Sequence, residues 1–226
     1  MIFLRRSVYL NLILANLSDV SMISQGITFL DIFPILQNPL AFETLITHLT
    51  DHIVSHTLPI SQATKIDVVV GLDARGFLIG PIIALNLGAA FVPVRKPGKL
   101  PGKCVNATYE KEYGTVSRPF TYPQPSWLLI EDFQDSFEMQ VGAIKPGQNV
   151  VVIDDLLATG MQTERLSVHV QHTKHLDTGG SAKAAGELVS KQGGKTLEYL
   201  FIIELLFLKG SSKLDGPVYS VVQADD

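Results

Sequence analysis

Gln148-Asn149-Val150-Val151-Val152-Ile153 leads without a break into Asp154 and Asp155, and this stretch limits what the chain can become. Consecutive β-branched residues leave neither face polar, so the segment reads as a strand covered on both sides, running into a loop at its carboxyl end. Ile66 to Leu72, Ala89 to Val94 and Leu197 to Phe207 read as further strands, with Val218 to Val222 as an edge strand. Gly76 to Leu87, Ser181 to Lys191 and Leu40 to Ser55 carry helical periodicity, and Gly26 to Pro34 reads as a turn with a short extended segment. Strands alternating with helices predict an α/β fold with a mostly parallel, doubly covered sheet. At 226 residues and 46% hydrophobic content, one domain can hold such a core.

A formal net charge of −4 argues against a nucleic-acid partner. The single cysteine, Cys104, rules out an intramolecular disulfide framework and suits a reducing compartment, so a cytoplasmic location is expected. No apolar run approaches the roughly 20 residues of a membrane span, and no membrane partner is expected. Arg5 and Arg6 precede an apolar stretch in Met1 to Leu17, as in a targeting signal, but Asn11 and Asn16 interrupt it and no clear cleavage site follows.

Four stretches carry candidate chemistry. Asp154 and Asp155, between a hydrophobic strand and Leu156-Leu157-Ala158-Thr159-Gly160, can accept hydrogen bonds from vicinal hydroxyls or from metal-bound water; the plainer reading is a helix cap. Thr178-Gly179-Gly180-Ser181 opens a helix whose amides and dipole favour a phosphate. Arg95-Lys96-Pro97-Gly98-Lys99-Leu100-Pro101-Gly102-Lys103 places four cations in a turn-rich loop, an anion site unless it is only a solvated surface. Leu72-Asp73-Ala74-Arg75-Gly76-Phe77 adds one more cation at a strand-to-helix junction, while Ala107 to Gly114 reads as a polar, aromatic loop.

In this order, the stretches resemble the adenine phosphoribosyltransferases of the type I phosphoribosyltransferase fold. The resemblance is carried by GITFLDIFPIL (Gly26 to Leu36), VVGLDARGFLIGP (Val69 to Pro81), FVPVRKPGKLPG (Phe91 to Gly102), ATYEKEYG (Ala107 to Gly114), KPGQNVVVIDDLLATG (Lys145 to Gly160), GGSAKAAGELV (Gly179 to Val189) and LEYLFIIELLFLKG (Leu197 to Gly210). It implies a mostly parallel central sheet flanked by helices, with a small N-terminal hood. It also implies transfer of ribose 5-phosphate from phosphoribosyl pyrophosphate to adenine, giving AMP and pyrophosphate, with Mg²⁺ held mainly by the substrate and a homodimeric assembly.

Carried over position by position, the resemblance places the 5′-phosphate on Ala158, Thr159, Gly160, Thr178, Gly179, Gly180 and Ser181, and the ribose hydroxyls on Asp154 and Asp155. Arg75, Lys96 and Lys99 match the pyrophosphate side, Arg75 with a catalytic part. Phe29 and Leu156 match groups that sandwich adenine, and the Leu30 backbone reads the base edge. Glu112 matches an acid that handles a ring proton of adenine, accompanied by Tyr113. Other purine or orotate specificities, or a homologue that binds nucleotide without turnover, are the alternatives.

Three segments depart from the family pattern. Residues 1–25 form an atypical N-terminal segment, and the single domain over 26–226 is interrupted near 115–133 and 160–178. Removing Thr115 to Phe133 joins Gly114 to Gln134, and removing Gly160 to Thr178 joins Ala158-Thr159 to Gly179-Gly180-Ser181 as an unbroken phosphate loop. The two inserts are equal in length, and their edges permit splice signals. All three segments therefore read as translated introns, with a lineage-specific insertion as the rival for the two inserts. His169, His172 and His175 in the second insert have no carboxylate or thiolate companions that would make a metal site.

Overall fold

The computed structural model describes residues 10–20, 29–110, 134–157 and 178–224. Its centre is a five-stranded, wholly parallel sheet of β3 (Val68–Leu72), β4 (Ala90–Val94), β7 (Asn149–Leu157), β8 (Lys195–Leu205) and β9 (Val218–Ala224), in the order β4-β3-β7-β8-β9. β7 and β8 occupy inner positions, which is why their side chains are buried almost throughout.

One face is covered by α3 (Pro39–His52) and α5 (Gly76–Leu87), the other by α6 (Thr178–Lys191). Strand alternation divides the core accordingly. Val69, Val151 and Ile153 pack with Leu45, Leu49, Ile79 and Ile83, whereas Val68, Val70, Val150 and Val152 pack with Ala182, Ala185 and Leu188. Asn38 caps α3 by accepting from the amides of Leu40 and Ala41. The helical segment predicted from Leu40 to Ser55 runs further than expected, through a π-turn at Ile53–Thr57 into α4 (Leu58–Ser61). On the sheet, buried Glu198 accepts from the Thr57 hydroxyl at 2.5 Å and lies 3.1 Å from His52 Nε2, which fastens this end of the helix.

Two antiparallel pairs complete the architecture. β1 (Ser18–Val20) pairs with β2 (Phe29–Asp31), preceded by a short helix α1 over 10–15 and followed by α2 (Phe33–Gln37). β5 (Cys104–Glu110) pairs with β6 (Gln134–Gln140) in unbroken register from Cys104↔Gln140 to Glu110↔Gln134. Ala107 to Glu110, expected to be loop, is therefore strand. Ala107 itself is fully buried beside Phe137 and Met139, and that packing outweighs the polar character of its neighbours.

Candidate active site

The chain leaves β3 towards β4 through α5, then crosses back to place β7 on the other side of β3 and continues outward to β8. The gap between β3 and β7 is thus the point where the winding reverses, and its carboxyl end is where such sheets open a crevice. β3 pairs with β7 only as far as Gly71↔Ile153, whereas β7 continues alongside β8 to Leu157↔Glu204. The two acids expected in a loop after Ile153 are consequently in the strand itself. They are held on one side by β8, and on the other face the turn that follows β3.

Into that opening comes Arg75, from the turn between β3 and α5. Its Nε lies 3.0 Å from Asp155 Oδ2. Gly76, the first residue of α5, allows the approach, since a Cβ there would fall 2.6 Å from the Ile153 carbonyl oxygen. Asp154 Oδ1 accepts the Asp155 amide at 3.0 Å. The acids are 7% and 3% exposed. Burial raises Asp154 well above the ordinary carboxylate range, reinforced by the neighbouring Asp155 charge. Asp155 is also raised by burial, against the opposing pull of Arg75. Among the described residues, Arg75 is the one cation paired with these two buried carboxyls, and the amides of Asp155 and Leu156 also donate to them.

The cationic loop follows β4. Arg95 Nε donates to Asp73 Oδ2 at 2.8 Å and its Nη1 to the Lys99 carbonyl at 3.1 Å, while Lys96 and Lys99 are exposed. Asp73 is the turn residue two before Arg75, so the loop and the acid pair share one rim of the sheet. α6 begins at Thr178 rather than at Ser181, so Gly179 and Gly180 lie in its first turn, both buried, with Ser181 half-buried. The helix packs on β5, β6, β7 and β8. Leu30 lies in β2, half-buried, and the backbone of Phe29 pairs with Val20.

Leu156 is buried one residue beyond the acids. Ala158, Thr159, Gly160, Glu112 and Tyr113 lie outside the described residues, as do His169, His172 and His175. Among the described residues, no group of three or more His, Cys, Asp or Glu side chains could hold a metal ion. Glu138, which sequence reasoning passed over, binds the cationic loop from β6; an acid between buried Phe137 and Met139 was the available signal.

No protein-family model matches the chain. Among curated proteins, it is 46% identical over 203 residues to the adenine phosphoribosyltransferase of Yarrowia lipolytica, covering 90% of this chain and 88% of that one. The adenine phosphoribosyltransferase 1 of Saccharomyces cerevisiae is 44% identical, with 89% and 85% covered. This chain belongs to the adenine phosphoribosyltransferase family.

An adenine phosphoribosyltransferase fold is matched throughout. The Saccharomyces cerevisiae enzyme, crystallised with D-2,5-dideoxy-2,5-imino-altritol 1,6-bisphosphate and adenine, superposes with a TM-score of 0.71 at 41% identity, over 96% of this chain and 99% of that one. A Giardia lamblia adenine phosphoribosyltransferase complexed with 9-deazaadenine gives 0.67 at 26% identity, with 95% and 97% covered. The mostly parallel sheet flanked by helices is the type I phosphoribosyltransferase fold expected from the motifs. The chain is accordingly a phosphoribosyltransferase, a glycosyltransferase of purine salvage.

Proposed function

We propose that the chain transfers ribose 5-phosphate from phosphoribosyl pyrophosphate to adenine, releasing AMP and pyrophosphate. The observation that carries this reading is the meeting of Arg75 with Asp155 where the sheet reverses, beside buried Asp154 and the glycine-opened start of α6. In this reading, Asp154 and Asp155 accept the ribose hydroxyls. The amides of Gly179, Gly180 and Ser181 hold the 5′-phosphate at the positive end of the α6 dipole. Ala158 and Thr159 complete that cradle; Gly160 and Thr178 belong to it only in a chain that keeps residues 160–178.

Arg75, Lys96 and Lys99 stabilise the diphosphate as negative charge develops on it in an oxocarbenium-like transition state. Mg²⁺ bound to the diphosphate would supply further charge neutralisation there. Adenine sits between Phe29 and Leu156, its edge read by the Leu30 backbone, with Glu112 taking the ring proton and Tyr113 beside it.

The inserts near 115–133 and 160–178 are proposed to be absent from the mature enzyme. Assembly as a homodimer is supported by α5, whose apolar character extends to the exposed Leu78 and Leu85. A cytoplasmic location is proposed from the single cysteine; among the described residues, no helix is long and apolar enough to cross a membrane. AMP formation from adenine and phosphoribosyl pyrophosphate, measured with the full chain and with both inserts deleted, tests the reading. Turnover in either form upholds it. Nucleotide binding without turnover in both forms points instead to a homologue that binds and does not catalyse.

A further inference from the structure

Glu138 is 6% exposed, in a strand whose flanking residues Phe137 and Met139 are core. Its carboxylate leaves the core side and turns to the loop after β4, where Oε1 accepts the amides of Lys99 at 3.2 Å and Leu100 at 3.0 Å. The main chain of the same residue exchanges both hydrogen bonds with Arg95, at 2.7 and 3.1 Å. Arg95 Nη1 reaches the Lys99 carbonyl, and Gln140 Nε2, two residues along β6, reaches the Pro101 carbonyl at 3.0 Å. The path from Arg95 to Pro101 is therefore set from β6, through one buried acid and its neighbours on the strand.

We propose that Glu138 is a positioning residue for the diphosphate end of the substrate, acting through the backbone that carries Lys96 and Lys99. This rests on the phosphoribosyl reading of the site. The reasoning is geometric. Two flexible lysines on a free loop would spend their attraction for a diphosphate on ordering the backbone, whereas a loop already fixed presents them with that ordering complete. Glu138 bonds to main-chain amides rather than depending on a particular side chain, so it sets the shape of the loop whatever the lysine heads are doing. Nothing in this arrangement involves the ribose or the base, which separates its effect from that of Asp154 and Asp155.

The test is calorimetric, on the full chain, with Mg²⁺ present and with phosphoribosyl pyrophosphate and AMP as separate ligands. AMP shares the 5′-phosphate and ribose but lacks the diphosphate. Glu138→Ala is expected to weaken phosphoribosyl pyrophosphate binding about tenfold or more while AMP affinity stays within about twofold. Glu138→Gln, which keeps an acceptor oxygen at the same reach, is expected to restore most of the loss. Equal weakening of both ligands, no weakening of either, or a glutamine variant as poor as alanine overturns the positioning role. Should Glu138→Ala not fold, Glu138→Asp, one methylene short of the amides, carries the same contrast. Should the full chain bind neither ligand, the same contrast is read in the chain lacking 115–133 and 160–178, and absence of binding in both forms overturns the phosphoribosyl reading itself.

Discussion

Arg75 and Asp155 meet at 3.0 Å although the first is nearly half exposed and the second is buried. The contact bridges the turn after β3 and the end of β7, two elements 80 residues apart in sequence that the parallel register and the packing of α5 on β7 bring together. Arg75→Ala leaves Asp155 buried without its ion pair. We expect a loss of about 1 kcal/mol, modest because the guanidinium is solvent-facing, with a fall of about a hundredfold in kcat/KM for phosphoribosyl pyrophosphate. In an Arg75→Ala, Asp155→Asn double variant, the stability should return and the activity should not. Chemical denaturation alongside steady-state kinetics separates the two effects.

The acid pair should make this enzyme less stable as the medium becomes more alkaline. Both carboxyls have native pKa values raised above the ordinary 3.8, Asp154 the more so, chiefly through burial. Between that value and the raised ones, the native state holds more protons than the unfolded chain, so stability is greatest below the window and falls as pH climbs through it. Asp154→Asn removes the charge while keeping an oxygen for the Asp155 amide. Its melting temperature should exceed wild type by a few degrees at pH 8, at about 2–4 °C per kcal/mol, and by less at pH 4. Turnover should be lost. Equal melting temperatures at pH 8 would show that the raised carboxyl has no bearing on stability.

Gly76→Ala forces a methyl group against the Ile153 carbonyl, a main-chain atom that cannot swing aside. The start of α5 must retreat and take Arg75 with it. We expect about 1–3 kcal/mol of destabilisation and a clear loss of activity. A Gly88→Ala control addresses a different constraint, because Gly88 ends the same helix at φ 64° with nothing near its missing Cβ. That variant should lose stability through its backbone alone and keep its KM values.

Excising 160–178 should raise kcat far more than excising 115–133. A phosphate cradle needs its amides to converge on one anion, whereas an enlarged surface loop is tolerated at about 0.6 kcal/mol per doubling. Parallel assays of the two single deletions and the double deletion decide the order. A larger gain from removing 115–133 would contradict the proposed division of labour.

The sheet was readable from sequence because consecutive valines at Val68 to Val70 and Val150 to Val152 admit few alternatives to a doubly covered strand. The ends were harder. Asp154 to Leu157 gave no strand signal of their own; pairing with β8, a contact made some 47 positions away, keeps them extended. Ala107 to Glu110 became strand for the same reason, through β6. Among candidate site residues, Arg75 and the acids were found as motifs, but their contact depends on strand order, which no local pattern encodes. Glu138 escaped notice because its partners are main-chain amides, and amides leave no mark in a sequence.

No two strands of the five-stranded sheet are joined by a hairpin; every pairing within it must wait for a long excursion of chain to close. Such topologies assemble slowly. The residues 160–178 roughly double the excursion between β7 and β8, the most extensively paired strands among the described residues. Their presence would therefore be felt first on the ribosome and in the test tube as delayed folding, with apolar strand edges exposed to aggregation and in need of chaperones, before any assay of the finished enzyme began.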